Sequence, residues 1–326
     1  MKRFVLLSFS LVLFGYFWLW GQVNVYGYFD HRVLSGVGFF PAPAYPILVT
    51  VVPWLCLHLA LTVLGIWLYL EAFKVKIAWY HFILIIPYVA IEAHGSAASL
   101  PPFLIMLAVY LIRKGKTFWG WIAGASYLFR TEMLFLILFR NKWLAISLVT
   151  FMAIYIATEG SVFTSNSPAV FYHSLGQLPN NSWHIQYSDS VSNRIAQDSG
   201  YAYAWDAPAM FKKMSISALR SDPIEYVRKC AFTFAREFKY GFYSGLDRTI
   251  LHYPSAIVFG LLFCYCFVWC IFHIKSEDEV VKLTIFTFLF LVVAQALGEQ
   301  ISRHVSAAYL PLIGIISDTP DSTGRI

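Results

Sequence analysis

The sequence predicts an all-α fold, a polytopic transmembrane helical bundle with about nine to ten membrane segments and a mostly helical loop domain outside the membrane. Three observations carry this. The 326 residues are 59% hydrophobic and only 13% charged, where a soluble domain carries about 25% charge. Long uncharged runs recur along the chain, beginning with Phe4 to Trp20, and a helix that crosses a bilayer needs roughly 20 such residues. Many of the tryptophans and tyrosines stand near the ends of these runs, where amphipathic rings anchor a chain at headgroup level.

Spans are read at 4–20, 47–70, 78–94, 99–112, 117–139, 143–158, 254–274, 281–298 and 303–317. They divide the chain into an N-terminal membrane region, 1–158, whose first outer loop is 21–46, an extracytoplasmic loop domain, 159–253, and a C-terminal membrane region, 254–326. Basic clusters border the spans: Lys2-Arg3, Lys74 and Lys76, Arg113-Lys114 with Lys116, and Arg140 with Lys142. Such clusters mark cytoplasmic loops, so the net charge of +6 reports orientation, and no nucleic-acid partner is expected. The first span is long, ends in aromatics and lacks a small-residue cleavage pattern, which sets it apart from a cleavable signal.

The segment 117–139 poses a parity problem, because basic clusters at both of its ends look cytoplasmic. One crossing would put those ends on opposite sides. A hairpin of two arms, each about 17 Å long at helical rise, would turn at Arg130-Thr131-Glu132 and keep both clusters inside. The hairpin is the preferred reading, since it also leaves the large loop outside as the Lys2-Arg3 start requires. In that loop "SDPIEYVRKCAFTFAREFKY" spells a helix: Asp222 caps it, Pro223 suits the first position and Glu225 completes a capping box. Ile224, Val227, Ala231, Phe234 and Phe238 share one face at helical spacing, the pattern of a helix lying on a membrane surface or against the ends of the spans.

Of the five cysteines, Cys56, Cys264, Cys266 and Cys270 lie in apolar spans, and Cys230 has no obvious partner. In "CYCFVWC", lipid-embedded thiols are expected rather than zinc ligands. Ionisable groups at the edge of a membrane span are functional candidates by default. On the outer side these are Asp30 with His31 and Arg32, Glu92 and His94, Arg130 and Glu132, and Arg303 and His304. Guanidinium groups suit phosphate oxygens, and a carboxylate within reach of a hydroxyl can take its proton. The distribution points to an extracytoplasmic site for an anionic ligand at the membrane edge.

The order of these elements resembles the GT-C membrane glycosyltransferases, specifically the family 39-like group of protein mannosyltransferases and bacterial aminoarabinose transferases. The residues that carry the likeness are "YFDHRVLSGVGFFPAPAYP", with Asp30 and Tyr45-Pro46; "GWIAGASYLFRTEMLF", with Gly120, Gly124, Arg130 and Glu132; "RSDPIEYVRKC"; and "RHVSAAYLPLIGI", with Arg303, Tyr309 and Pro311. The resemblance implies a GT-C-like fold and a sugar donor carried on polyprenyl phosphate, attacked with inversion. It further implies that Asp30 is the general base, with Arg130 and Arg303 as candidates for holding the lipid phosphate and Glu92 and His94 as acceptor-side or structural candidates. The acceptor is left open among glycan, lipid and protein, and a divalent cation is left open as cofactor, although one isolated carboxylate is a poor metal site. This chain departs from the pattern in having His31 where many relatives carry a second acid, and in a short last span. Two other readings stand beside it: a transporter or flippase for lipid-linked saccharides, and a polysaccharide polymerase or ligase that leans on arginines alone. A bacterial inner membrane is the expected location.

Overall fold

The computed structural model describes residues 2–21, 54–94, 100–129, 131–139, 141–159, 167–242, 252–298 and 307–318. All regular structure among the described residues is helical: α1 (Lys2–Gly21), α2 (Trp54–Ala72), α3 (His81–Leu84), α4 (Ile86–His94), α5 (Leu100–Arg113), α6 (Trp119–Ala125), α7 (Lys142–Glu159), α8 (Ser167–Leu175), α9 (Asp189–Asp198), α10 (Pro208–Ser221), α11 (Pro223–Tyr240), α12 (His252–Phe272), α13 (Glu279–Leu297) and α14 (Tyr309–Asp318), with short 3₁₀ segments between some of them. Four of these helices, α1, α2, α12 and α13, are long and apolar enough to cross a bilayer. The outward face of α12 shows why a bilayer is the right solvent. Tyr253, Ile257, Leu261, Tyr265, Val268 and Phe272 form an exposed stripe along the whole helix, with its two end residues 77% and 81% exposed. Water would not support so long an apolar face; lipid does.

Charge pairs gather the basic clusters at one end of the bundle. Arg3 at the start of α1 meets Glu71 at the end of α2 at 2.5 Å. Arg113 at the end of α5 pairs with Asp278, the N-cap of α13, at 3.4 Å, and its guanidinium lies 5.8 Å over the Phe73 ring just after α2. Asp278 also caps its own helix, accepting from the amides of Val280 and Val281.

The 117–139 segment is a hairpin. Trp119, which opens α6, packs edge-on against Phe139 at 5.8 Å, so the chain has returned to its starting level. The outgoing arm is α6 with the 3₁₀ turn Ser126–Leu128, and the returning arm is the 3₁₀ helix Thr131–Leu138, about 16 Å long at 2.0 Å per residue. From there α7 runs out again alongside α6 in the same direction. Gly120 faces the Leu144 amide and Gly124 faces Ser147, so tightly that a Cβ on either would collide, while the Ser147 hydroxyl donates to Trp121 O at 3.2 Å.

A continuous third span over 78–94 was expected; the helix breaks between α3 and α4, and Pro87 in the first turn of α4 supplies a reason, because proline cannot donate into the preceding turn. The last helix is a half-length one, as the short final apolar run predicts. Residues 307–315 of that stretch are buried throughout, and the Tyr309 hydroxyl donates to Leu84 O at 2.7 Å, meeting a carbonyl at the break in the third span. Irregular backbone at membrane depth is tolerated where protein surrounds it.

The predicted helix in the 159–253 region is α11, with one correction to its cap. Asp222 accepts from the Glu225 amide at 3.0 Å, but the Glu225 carboxylate turns away from a reciprocal box to take the Ser182 amide at 2.9 Å and Arg228 at 2.7 Å. The buried stripe is polar, Glu225, Lys229, Thr233 and Glu237, whereas Ile224 and Val227 are 72% and 65% exposed. Only the later part of the expected apolar face packs inward, with Phe234 and Phe238 against Phe263 and Phe267 of α12 at 5.1–6.0 Å. Just past α11, Phe242 reaches the bundle core, 4.5 Å from the Tyr309 ring. Before it, α8 and α10 pack together around Phe211, with Ala169, Ala196, Ala204 and Ala207 forming a small core of its own.

Candidate functional site

A membrane helix can carry an ionisable side chain only if the bundle supplies it with partners, and the end opposite the basic clusters holds such a group. Glu92 lies in the last turn of α4 and is fully buried. Facing it from α2 is His58, also fully buried, with Nδ1 3.5 Å from Glu92 Oε2. One turn below on α4, Tyr88 interacts with the Glu92 carboxylate and donates from its hydroxyl to Leu61 O of α2 at 2.8 Å. Thr62 closes the group, its hydroxyl donating to His58 O at 2.9 Å.

The sequence builds this contact through spacing. His58, Leu61, Thr62 and Gly65 recur at helical intervals along one side of α2, and Tyr88 and Glu92 stand four apart on α4. Gly65 matters because the Tyr88 hydroxyl occupies the space where its Cβ would be; any larger residue would push the tyrosine off α2. The result is a small polar island that joins α2 to α4. Chemically it can hold a proton between imidazole and carboxylate, fix the direction of a carboxylate, or lend a polar edge to a ligand entering from that end.

Of the candidates read from the sequence, Glu92 is thus a buried member of an acid–imidazole pair. His94 closes α4, and Glu132 is the second residue of the returning hairpin arm. Both positions lie toward the end of the bundle opposite the basic clusters, because α5 starts there and finishes at Arg113, and the hairpin turns away from the level of Trp119. Asp30, Tyr45, Arg130, Arg303 and His304 lie outside the described residues. Arg130 immediately precedes the 3₁₀ arm in the sequence, and Arg303 and His304 come shortly before α14.

His58 was not singled out from the sequence. The signal was present: it is the one His, Lys, Arg, Asp or Glu between Trp54 and Leu70, and an isolated imidazole in a hydrocarbon run needs a partner. Among the described residues no group of three or more His, Cys, Asp or Glu side chains is gathered as for a metal ion, and the five cysteines are free thiols, with Cys266 and Cys270 buried. No family model, curated protein or solved structure matches this chain.

Proposed function

We propose that this chain is an integral-membrane glycosyltransferase that moves a sugar from a polyprenyl-phosphate donor to an acceptor on the extracytoplasmic side. The observation that supports the reading is a pair of short helices, the returning hairpin arm Thr131–Leu138 and α14, each preceded in sequence by arginine in a motif like those of GT-C enzymes. In this reading the basic end is cytoplasmic by its lysines and arginines and the opposite end extracytoplasmic, and the short apolar helices beside the four long ones support a GT-C-like bundle of about nine segments.

In this reading Asp30 takes the proton of the acceptor hydroxyl as its oxygen bonds to the anomeric carbon. The bond from that carbon to the phosphate oxygen breaks, and prenyl phosphate leaves with the electron pair. Arg130 and Arg303 bear the charge that develops on the leaving phosphate, the preorganised electrostatic role that dominates such catalysis. The same reading assigns Glu132, His304 and Tyr45 to substrate binding, with Glu92 and His94 on the acceptor side.

The test is purified protein incubated with a panel of radiolabelled prenyl-phosphate sugars, scoring release of lipid phosphate. Release is expected from the wild type, with a loss of about a hundredfold or more in Asp30→Asn, the scale of general-base catalysis. Undiminished activity in that variant overturns the assignment of Asp30. A second reading, transport of a lipid-linked saccharide, is favoured by one observation, the His58–Glu92 pair within the helices, since intramembrane ionisable pairs often mark transport paths. Movement of intact donor across vesicles without cleavage would select it.

A further inference from the structure

The C-terminal end of a helix leaves carbonyls without helical partners, and at the end of α13 those carbonyls are met by side chains of α11. Lys229 is fully buried, and its ammonium donates to Ala296 O at 3.3 Å, to Leu297 O at 3.4 Å and to Gly298 O. The Tyr226 hydroxyl donates to Leu297 O at 2.8 Å. The Thr233 hydroxyl reaches Ala296 O at 2.9 Å while also lying 2.9 Å from Lys229 O of its own helix. Three side chains at helical spacing thus converge on three consecutive carbonyls, with a cation at the negative end of the α13 dipole. A buried ammonium is costly unless it is paired or fully hydrogen-bonded, so a residue of this kind specifies one position of α13 against α11.

The same helix is anchored at both of its ends. At its start, Asp222 and Glu225 hold Ser182, the hydroxyl at 2.9 Å and the amide at 2.9 Å. At its other end, Phe234 and Phe238 pack on α12 and Phe242 follows into the core. One helix therefore connects the 167–221 region, the end of a membrane helix and the bundle interior.

We propose that Lys229, with Tyr226 and Thr233, is a latch that fixes the end of α13 against α11, so that Lys229 acts as a positioning residue for donor binding at that end of the bundle. The latch stands on the hydrogen bonds above; its service to sugar transfer rests on the function proposed in the preceding subsection. It predicts that the state of the outer region reaches the bundle through α11.

Hydrogen exchange on the full chain in lipid nanodiscs tests it. In Lys229→Met, amides of 290–298 should exchange about tenfold faster or more, the factor that loss of one charge-assisted hydrogen bond supplies, with α2 and α5 unchanged. Thr233→Val and Tyr226→Phe each remove one donor and should speed the same amides by about threefold; they carry the test if Lys229→Met fails to accumulate. Unchanged exchange at 290–298 overturns the latch. In the transfer assay, with the prenyl-phosphate hexose that the wild type turns over, Lys229→Met should raise the donor KM by about tenfold and leave kcat within about twofold. Faster exchange with an unchanged KM overturns the positioning role. Faster exchange in a chain whose wild type cleaves none of the sugars supports the latch and removes the transferase reading.

Discussion

Glu92 and Lys229 are both fully buried, yet the molecule neutralises them in different ways. Glu92 of α4 meets His58 of α2, another ionisable side chain. Lys229 meets backbone carbonyls at a helix end. The contrast teaches how much each contact depends on its partner. Taking away the imidazole removes a side-chain partner from a buried carboxyl, whereas taking away the ammonium releases backbone carbonyls at a helix end. Removing one partner of a buried polar contact costs about 1–3 kcal/mol, while replacing both by apolar groups of the same shape is close to neutral.

The largest expected effect is therefore His58→Leu, which takes a partner from a buried carboxyl and should lower stability by about 3 kcal/mol, read as a fall in the melting temperature of the detergent-purified chain. His58→Leu combined with Glu92→Met should recover most of that loss; a double variant as unstable as the single one would show that Glu92 and His58 do not act as a unit. Next comes Gly65→Ala. Its methyl group meets the Tyr88 hydroxyl, and overpacking of this kind costs about 1–3 kcal/mol. Tyr88→Phe in the same background should restore part of the loss by vacating the space, even though it gives up the hydrogen bond to Leu61.

The smallest effect lies at the start of α11 and sharpens the contrast from the solvent side. The Glu225 amide, and after it the Ser182 hydroxyl, hold the Asp222 carboxyl below its ordinary value of 3.8. A depressed carboxyl adds stability above its unfolded value, and that contribution is lost as pH falls through the lower folded value. Asp222→Asn should therefore be slightly less stable than the wild type at pH 7, and the two melting curves should converge toward pH 3. Persistence of the gap in acid would show that geometry at the cap, rather than its charge, supports α11.

Much of the architecture was legible along the chain. Uncharged runs foretold the membrane helices, parity of the basic clusters foretold the hairpin, and Asp222-Pro223 foretold the start of α11. The reason is that helix length, charge placement and capping are local properties, each written within a turn or two of chain. The half-length final helix belongs here too, since its apolar run is visibly short.

What tertiary structure alone decided is which surfaces meet. On α11 the end of α13 presents carbonyls that hydrocarbon cannot satisfy, and the polar stripe meets them while Ile224 and Val227 stay exposed. Likewise His58 and Glu92 are 34 residues apart, and Tyr309 meets Leu84 across 225. The amino-acid sequence by itself determined that this chain forms helices fit for lipid and puts its polar groups mostly at the helix ends. The packing decided which of those groups answer one another, because a buried polar atom takes its partner from whichever element lies within hydrogen-bond reach, and that reach is a property of the folded bundle.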